Sequence, residues 1–225
     1  MKNIIEKEIT YFTTNFNLNT KELIEELCNN IEEKQLNYIK YRDRFQLLVE
    51  DNEHDKTKIT FKVNHGDVTY SLATKDRLTS TNDIIQSYQE IKTDWTPIEE
   101  LDFSIFNNKI LSFYYKETKK VTVKYENNKY KIIGHDVKFL DLNGEVRNQM
   151  KYIEVESKKF ENDHVSFFSD FLKKRELDLI DYDNSKLKVG QDILRDNNQL
   201  TFSDISQLKE FILNLYIKMS IYHIV

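Results

Sequence analysis

The tightest constraint on how this chain folds is a row of charges at alternate positions. Lys116, Thr118, Lys120, Thr122 and Lys124 recur at every second residue, backed by Val121 and Val123. Only an extended strand puts such residues on one face. The pattern repeats. Lys58, Thr60 and Lys62 alternate with Ile59, Phe61 and Val63, and Lys75 closes the following run. Glu6 and Glu8 share a face near the start, Asp136 and Lys138 share another, and in KYIEVESK Glu154 and Glu156 alternate with Ile153 and Val155. Two architectures satisfy these rows. One is an open antiparallel sheet with a solvated face. The other is a barrel with its charged faces turned inward, which demands a highly charged ligand.

Local signals order the elements. An extended run covers 3–12, and Asn19 with Glu22 forms a capping box for a helix over 20–38. A hairpin follows, turning around Asn64–Asp67, and a second turns at Asn127–Asn128. The pattern predicts a short helix at 81–91, an extended pair over 97–116, an amphipathic helix at 161–177, a loop reading DYDNSKLKVG and a terminal helix over 203–222. That last helix carries Ile205, Leu208, Phe211, Ile212, Leu215 and Met219, a face suited to the outside of the sheet or to a dimer surface. No linker or repeat interrupts the 225 residues, so one domain spanning 1–225 is expected.

Composition narrows the function classes. Four glycines and one proline leave no GxxxxGK or GxGxxG loop, so any phosphate must be held by side chains. The net charge of −5 argues against a general nucleic-acid binder. No run reaches the ~20 apolar residues of a membrane span, and MKNIIEKEIT is charged where a signal peptide is apolar, so no membrane association and a cytoplasmic location are expected. The lone Cys28 rules out disulfides and cysteine-based zinc sites and fits a buried helical position. The five histidines show no HExxH spacing; His135, beside Asp136, fits a plain strand position or a proton shuttle.

Taken in order, the motifs resemble those of the CYTH, or triphosphate tunnel metalloenzyme, superfamily, which includes class IV adenylate cyclases, thiamine triphosphatases and inorganic triphosphatases. Glu6-Lys-Glu8 is similar to the first two glutamates of the ExExK signature, with Thr10 in place of its lysine. Lys58–Lys62, Tyr70–Lys75 and Lys116–Lys120 resemble the family's basic strands. His135-Asp136-Val137 is similar to its DxV segment, Tyr152–Glu156 to its EIE strand, and Asn184–Lys186 with Gly190 to its late SKYxRG motif. The resemblance spans about residues 3–194.

It implies an α+β fold, an antiparallel β-barrel or tunnel of about eight strands with helices packed outside. It also implies Mg²⁺ or Mn²⁺ held by Glu6, Glu8, Asp136, Glu154 and Glu156, with Glu6, Glu8 and Asp136 as catalytic residues. Carboxylates so crowded repel one another unless a cation intervenes, and hard oxygen ligands suit these two ions. Lys58, Lys62, Lys75, Lys116, Lys120 and Lys186 would then bind a small-molecule triphosphate or nucleotide. Expected activities are hydrolysis of inorganic, nucleoside or thiamine triphosphate, the cyclase reaction, or non-catalytic nucleotide binding, in a monomer or homodimer. Hydrolysis is the leading expectation; Thr10 and lysines or gaps where the family has arginines weaken the grip on phosphate and keep the last of these open as a rival.

Overall fold

The computed structural model describes residues 2–15, 17–31, 38–51, 54, 56–78, 84–181, 183–195 and 202–221; within strands, the side chains of residues 3, 4, 6 and 38–41 are not described. In chain order the elements are β1 (Lys2–Thr13), α1 (Thr20–Asn29), β2 (Tyr38–Val49), β3 (Thr57–Asn64), β4 (Asp67–Leu78), β5 (Gln86–Lys92) and β6 (Thr96–Pro97). Then come β7 (Ile110–Tyr125), β8 (Asn128–Leu140), β9 (Val146–Ser157), α2 (Asn162–Lys173), β10 (Asp178–Leu179), α3 (Lys186–Ile193) and α4 (Ile205–Ile221).

The charged rows lie on one antiparallel sheet in the order β1-β5-β4-β3-β2-β7-β8-β9, and β9 pairs back to β1. That last pairing makes a ring. β1 closes it by sharing itself: residues Lys2–Glu8 pair with β5 and Lys7–Thr13 with β9. The expected α+β sheet of about eight strands is therefore present, drawn into a ring less regular than a clean barrel. Alternation divides every strand into an inward and an outward face.

Outward positions make the core. Ile9, Tyr11, Val121, Val123, Tyr130, Ile132, Ile153 and Val155 pack under α1 and α2, with Leu23, Ile24, Leu27, Phe168 and Leu172 opposite. On another side Phe45, Leu47, Ile59, Phe61, Phe113 and Tyr115 receive α4 through Leu208, Ile212, Leu215 and Met219. The terminal helix thus covers the outside of the ring. Inward positions split into two zones. Phe12, Leu48, Tyr114, Val137, Met150 and Tyr152 form an apolar plug at one end, capped by Val189, Leu187 and Ile193 of α3. Charged residues fill the rest. The ring is a cup with an apolar floor.

Several local expectations give way to tertiary context. Tyr38 already belongs to β2, so the helix over 20–38 ends at Asn29; residues 32–37 lie outside the described set. Of the helix expected over 81–91, residues 81–83 lie outside it too, and Gln86–Lys92 is a strand held between β1 and β4. The pair expected over 97–116 contains 3₁₀ turns at Ile98–Glu100 and Phe103–Asn107 before β7 begins. The second hairpin turns on Glu126 and Asn127, whose φ values of 44° and 66° suit the tight turn that follows strand twist. The loop DYDNSKLKVG contains α3, capped where the Ser185 hydroxyl accepts from the Lys188 amide at 3.1 Å.

Helix α3 matters because it carries Lys186 to the cup. Gly190 lets it approach β7: a Cβ there would lie 2.7 Å from the Ser112 backbone Cα and closer still to its side chain. Ser112 Oγ in turn donates to the Lys186 carbonyl at 2.9 Å. Gly190→Ala is expected to lower stability by about 1–3 kcal/mol through overpacking. An unchanged denaturation midpoint would show that α3 does not rest on β7.

Candidate functional site

Strand register builds the site. Glu8 stands opposite Glu156 and Thr10 opposite Glu154 across the β1–β9 pairing, and opposed residues share a face. All are inward. One carboxylate oxygen from each of Glu8, Glu154 and Glu156 lies within 4.8 Å of the other two. His135 enters from β8 and Thr118 from β7, opposite one another. The capping-box helix plays no direct part; Asn19 accepts from the Lys21 amide and donates to Glu22, anchoring α1 outside.

Each carboxylate has a cation or an imidazole against it, from another strand of the ring or from α3. Lys75 Nζ donates to Glu8 at 3.0 Å and sits 3.9 Å from the Tyr88 ring. Lys186 Nζ donates to Glu154 at 2.7 Å, and His135 Nε2 donates to the other Glu154 oxygen at 2.8 Å. The ionised Glu154 can only accept, which fixes the tautomer: Nε2 carries the hydrogen, and Nδ1 accepts from the Thr118 hydroxyl at 2.9 Å. Lys131 reaches Glu156 at 2.9 Å, and Lys58 reaches Glu90 at 2.9 Å.

These neighbours push the ionisations apart. Burial raises the Glu8 carboxyl, against the pull of Lys75. Burial also opposes charge on Glu154, but His135, Lys186 and Lys116 outweigh it and hold that carboxyl well below the usual range. Burial lowers His135 to about 4, so its imidazole is neutral at pH 7. Lys116 is lowered to about 7, by burial first and then by the Lys186, Lys58 and Lys92 charges, with Glu154 opposing. Among the described residues neither Lys116 nor Lys62 has a hydrogen-bond or ion-pair partner. Gln46, which donates to Thr60 Oγ1 at 2.8 Å, leaves its buried Oε1 without a donor.

The expected residues are thus only partly gathered. Glu8, Glu154, Glu156, Lys58, Lys75, Lys116 and Lys186 face one space. Lys120 stands on the same face of β7 as Lys116, opposite Ile133. Glu6 is paired through its backbone opposite Tyr88, and its side chain lies outside the described set. Asp136, expected beside the glutamates, is on the other face of β8 from His135: Thr20 Oγ1 donates to it at 3.2 Å and Lys151 lies 3.6 Å away. It anchors α1. Sequence reasoning missed Lys131, Glu90, Arg44 and Lys92. The signal for Arg44 was Arg42-x-Arg44-x-Gln46 in β2, and for Glu90 the alternation of QSYQEIK.

No family model and no curated protein matches the sequence. Solved structures similar to the chain include the Mediator head module of Schizosaccharomyces pombe, with 8% identity, 77% of this chain and 93% of that one covered, and a TM-score of 0.46. Another is the RNA triphosphatase domain of a trifunctional mimivirus mRNA capping enzyme, with 12% identity, 75% and 87% covered, and a TM-score of 0.45. A third is the PH1012 protein of Pyrococcus horikoshii, with 12% identity, 84% and 98% covered, and a TM-score of 0.44. No helix among the described residues is long and apolar enough to cross a membrane.

The Lys75–Glu8 pair makes the electrostatics testable. Lys75→Met leaves Glu8 buried beside Glu154 without its ammonium. It is expected to cost about 2–4 kcal/mol, below the value for a fully buried pair because Lys75 keeps some solvent contact. Adding Glu8→Gln to that variant should recover most of the loss. A double-mutant cycle by urea unfolding checks this; additive losses would separate the two groups.

Proposed function

We propose that the cup binds a triphosphate and hydrolyses its terminal phosphoanhydride with the help of Mg²⁺ or Mn²⁺. The observation that carries this reading is the convergence of Glu8, Glu154 and Glu156 within 4.8 Å, walled by the cations Lys75, Lys186, Lys58 and Lys116. The donor set fits a hard divalent ion. Three carboxylates supply oxygens only, the ligand type that Mg²⁺ and Mn²⁺ prefer.

Glu8, Glu154 and Glu156 would hold the ion. When bound, the ion supplies charge stabilisation and an activated water for in-line attack. The chain does the rest. Neutral His135 keeps Glu154 oriented through one oxygen while Lys186 leaves the other for a phosphate oxygen. Lys75 and Lys58 are likewise released from Glu8 and Glu90 to the polyanion, and Lys116, without a partner, binds it at once. Glu8, pushed upward by burial, is the carboxyl best suited to exchange a proton as the site fills. The apolar floor and α3 exclude water from behind, which strengthens every one of these contacts.

A second reading, binding without turnover, is favoured by one observation: the lysines already neutralise the carboxylates, so a polyanion competes for them without any reaction following. A screen of tripolyphosphate, nucleoside triphosphates and thiamine triphosphate with each metal separates the two. Pyrophosphate and phosphate from tripolyphosphate, which has no ribose, are expected; a cyclic nucleotide from ATP would assign the cyclase reaction. Tight binding with no turnover would leave the non-catalytic reading.

Two further outcomes are expected. Mn²⁺ should raise the melting temperature of the protein by linkage, and Glu154→Gln with Glu156→Gln should abolish that shift together with turnover. Equal shifts in both proteins would remove these carboxylates from the metal site. The second outcome concerns protons. Lys116, at about 7 in the empty cup, is mostly neutral at pH 8, and a bound polyanion raises it toward the ordinary lysine value. Triphosphate binding should therefore take up as much as about one proton at pH 8 and almost none from Lys116 below about pH 6. Calorimetry in two buffers of different ionisation enthalpy measures this, and Lys116→Met should remove the uptake at pH 8.

A further inference from the structure

Trp95, the single tryptophan of the chain, is 43% exposed where the chain leaves β5. Among the described residues the other exposed large apolar side chains, Ile5 and Ile217, are aliphatic. Trp95 is distinguished by its neighbours. The Arg44 guanidinium lies 5.4 Å and the Lys92 ammonium 5.8 Å from its ring centroid. Both belong to the inward rows: Arg44 stands opposite Lys116, and Lys92 opposite Ala73, next to Lys75 on that face of β4. Along β2 the inward positions run Arg44, Gln46, Leu48, and Leu48 is part of the apolar plug. Arg44 is therefore on the side away from the floor, toward the open end. The charge on Lys92 is felt at both Lys116 and Glu90. An aromatic face thus sits beside two cations of the inward rows, one of which, Lys92, acts on Glu90 and Lys116.

We propose that Trp95 is the stacking platform for a nucleobase, so that the cup takes a nucleoside 5′-triphosphate, free or at the 5′ end of an RNA, in preference to inorganic tripolyphosphate. The proposal rests on the reading of the cup as a triphosphate site. A triphosphate seated with its terminal group at the carboxylates leads its inner phosphates past Lys116 and out toward Lys92 and Arg44. The sugar and base then emerge beside the indole. Stacking suits this position because every base has a π-face and an exposed indole keeps its own free for contact. Arg44 and Lys92 lie within attraction of the ring, and Arg44 can serve both the ring and an inner phosphate.

The single tryptophan makes the test direct. Titrating the full chain with ATP, GTP and tripolyphosphate in the presence of Mg²⁺ should quench Trp95 fluorescence with the nucleotides and leave it nearly unchanged with tripolyphosphate. Trp95→Ala should raise the nucleotide dissociation constant by about 5- to 100-fold, the range of one lost stack. It should leave tripolyphosphate affinity, read by calorimetry, within twofold, and Trp95→Phe should restore most of the nucleotide affinity. A short 5′-triphosphorylated RNA separates the two sources: binding at least tenfold tighter than ATP assigns the RNA end, and equal or weaker binding assigns the free nucleotide. Equal affinity for tripolyphosphate and nucleotides in the unmodified protein would overturn the stacking subsite while leaving the triphosphate site intact. Equal losses for both ligands in Trp95→Ala would overturn it as well, by making the residue structural. Failure of every triphosphate to bind would remove both readings.

Discussion

Charges turned into a closed ring must find their counter-charges inside it. Water reaches them from one end only, so each inward carboxylate either meets a cation or takes up a proton. The pairs Lys75–Glu8, Lys186–Glu154, Lys131–Glu156 and Lys58–Glu90 answer that constraint. Each joins two different strands, or a strand and a helix, so the electrostatics of the lumen and the closure of the sheet support one another. Lys116 differs: burial first, and then the charges of Lys186, Lys58 and Lys92, suppress its charge, and among the described residues it has no hydrogen-bond or ion-pair partner. A polyanion is the ligand that relieves such a wall.

The same ring explains the division of labour around it. Outward rows are apolar and take α1, α2 and α4, so stability resides largely outside. Helix α3 is different in kind. It is brought against β7 by Gly190, capped by Ser185, and tied through Ser112 to the Lys186 carbonyl. It seals the floor and delivers a lysine with one short element. Asp136 shows the opposite case, an acidic residue spent on docking a helix to the outside.

Sequence alone carried the strand rows well, because period-two alternation is local. It identified the hairpins at Asn64–Asp67 and near Asn127, the capping box at Asn19, and the alternating rows holding Glu8, Glu154, Glu156 and Lys75; which way those rows face, and the part of Lys186, came only with the family resemblance. It failed where tertiary pairing overrides local preference. Gln86–Lys92 reads as helix until β1 and β4 enclose it, and the stretch that forms β2 beyond Tyr38 was assigned to no element. Those two strands carry Glu90, Lys92 and Arg44, which is why half of the cationic mouth went unseen. Asp136 was misplaced for a subtler reason. A motif fixes residue order, but a strand offers two faces, and only pairing decides which face His135 takes and which is left to its neighbour.

The seam between β1 and β9 reaches beyond geometry into how the molecule comes into being. Glu8 lies on one side of it and Glu154 and Glu156 on the other, so the carboxylate cluster does not exist until the first strand meets one of the last. A chain emerging from the ribosome delivers β1 first and β9 after every other strand of the ring. Until then β1 can lean on β5, but its second half, with the apolar Ile9 and Tyr11, has a bare edge that invites pairing with the wrong neighbour. Joining such distant segments is slow relative to hairpin formation. The nascent protein therefore passes through a stage with most of its sheet and none of its chemistry, and any premature stop before β9 leaves it there.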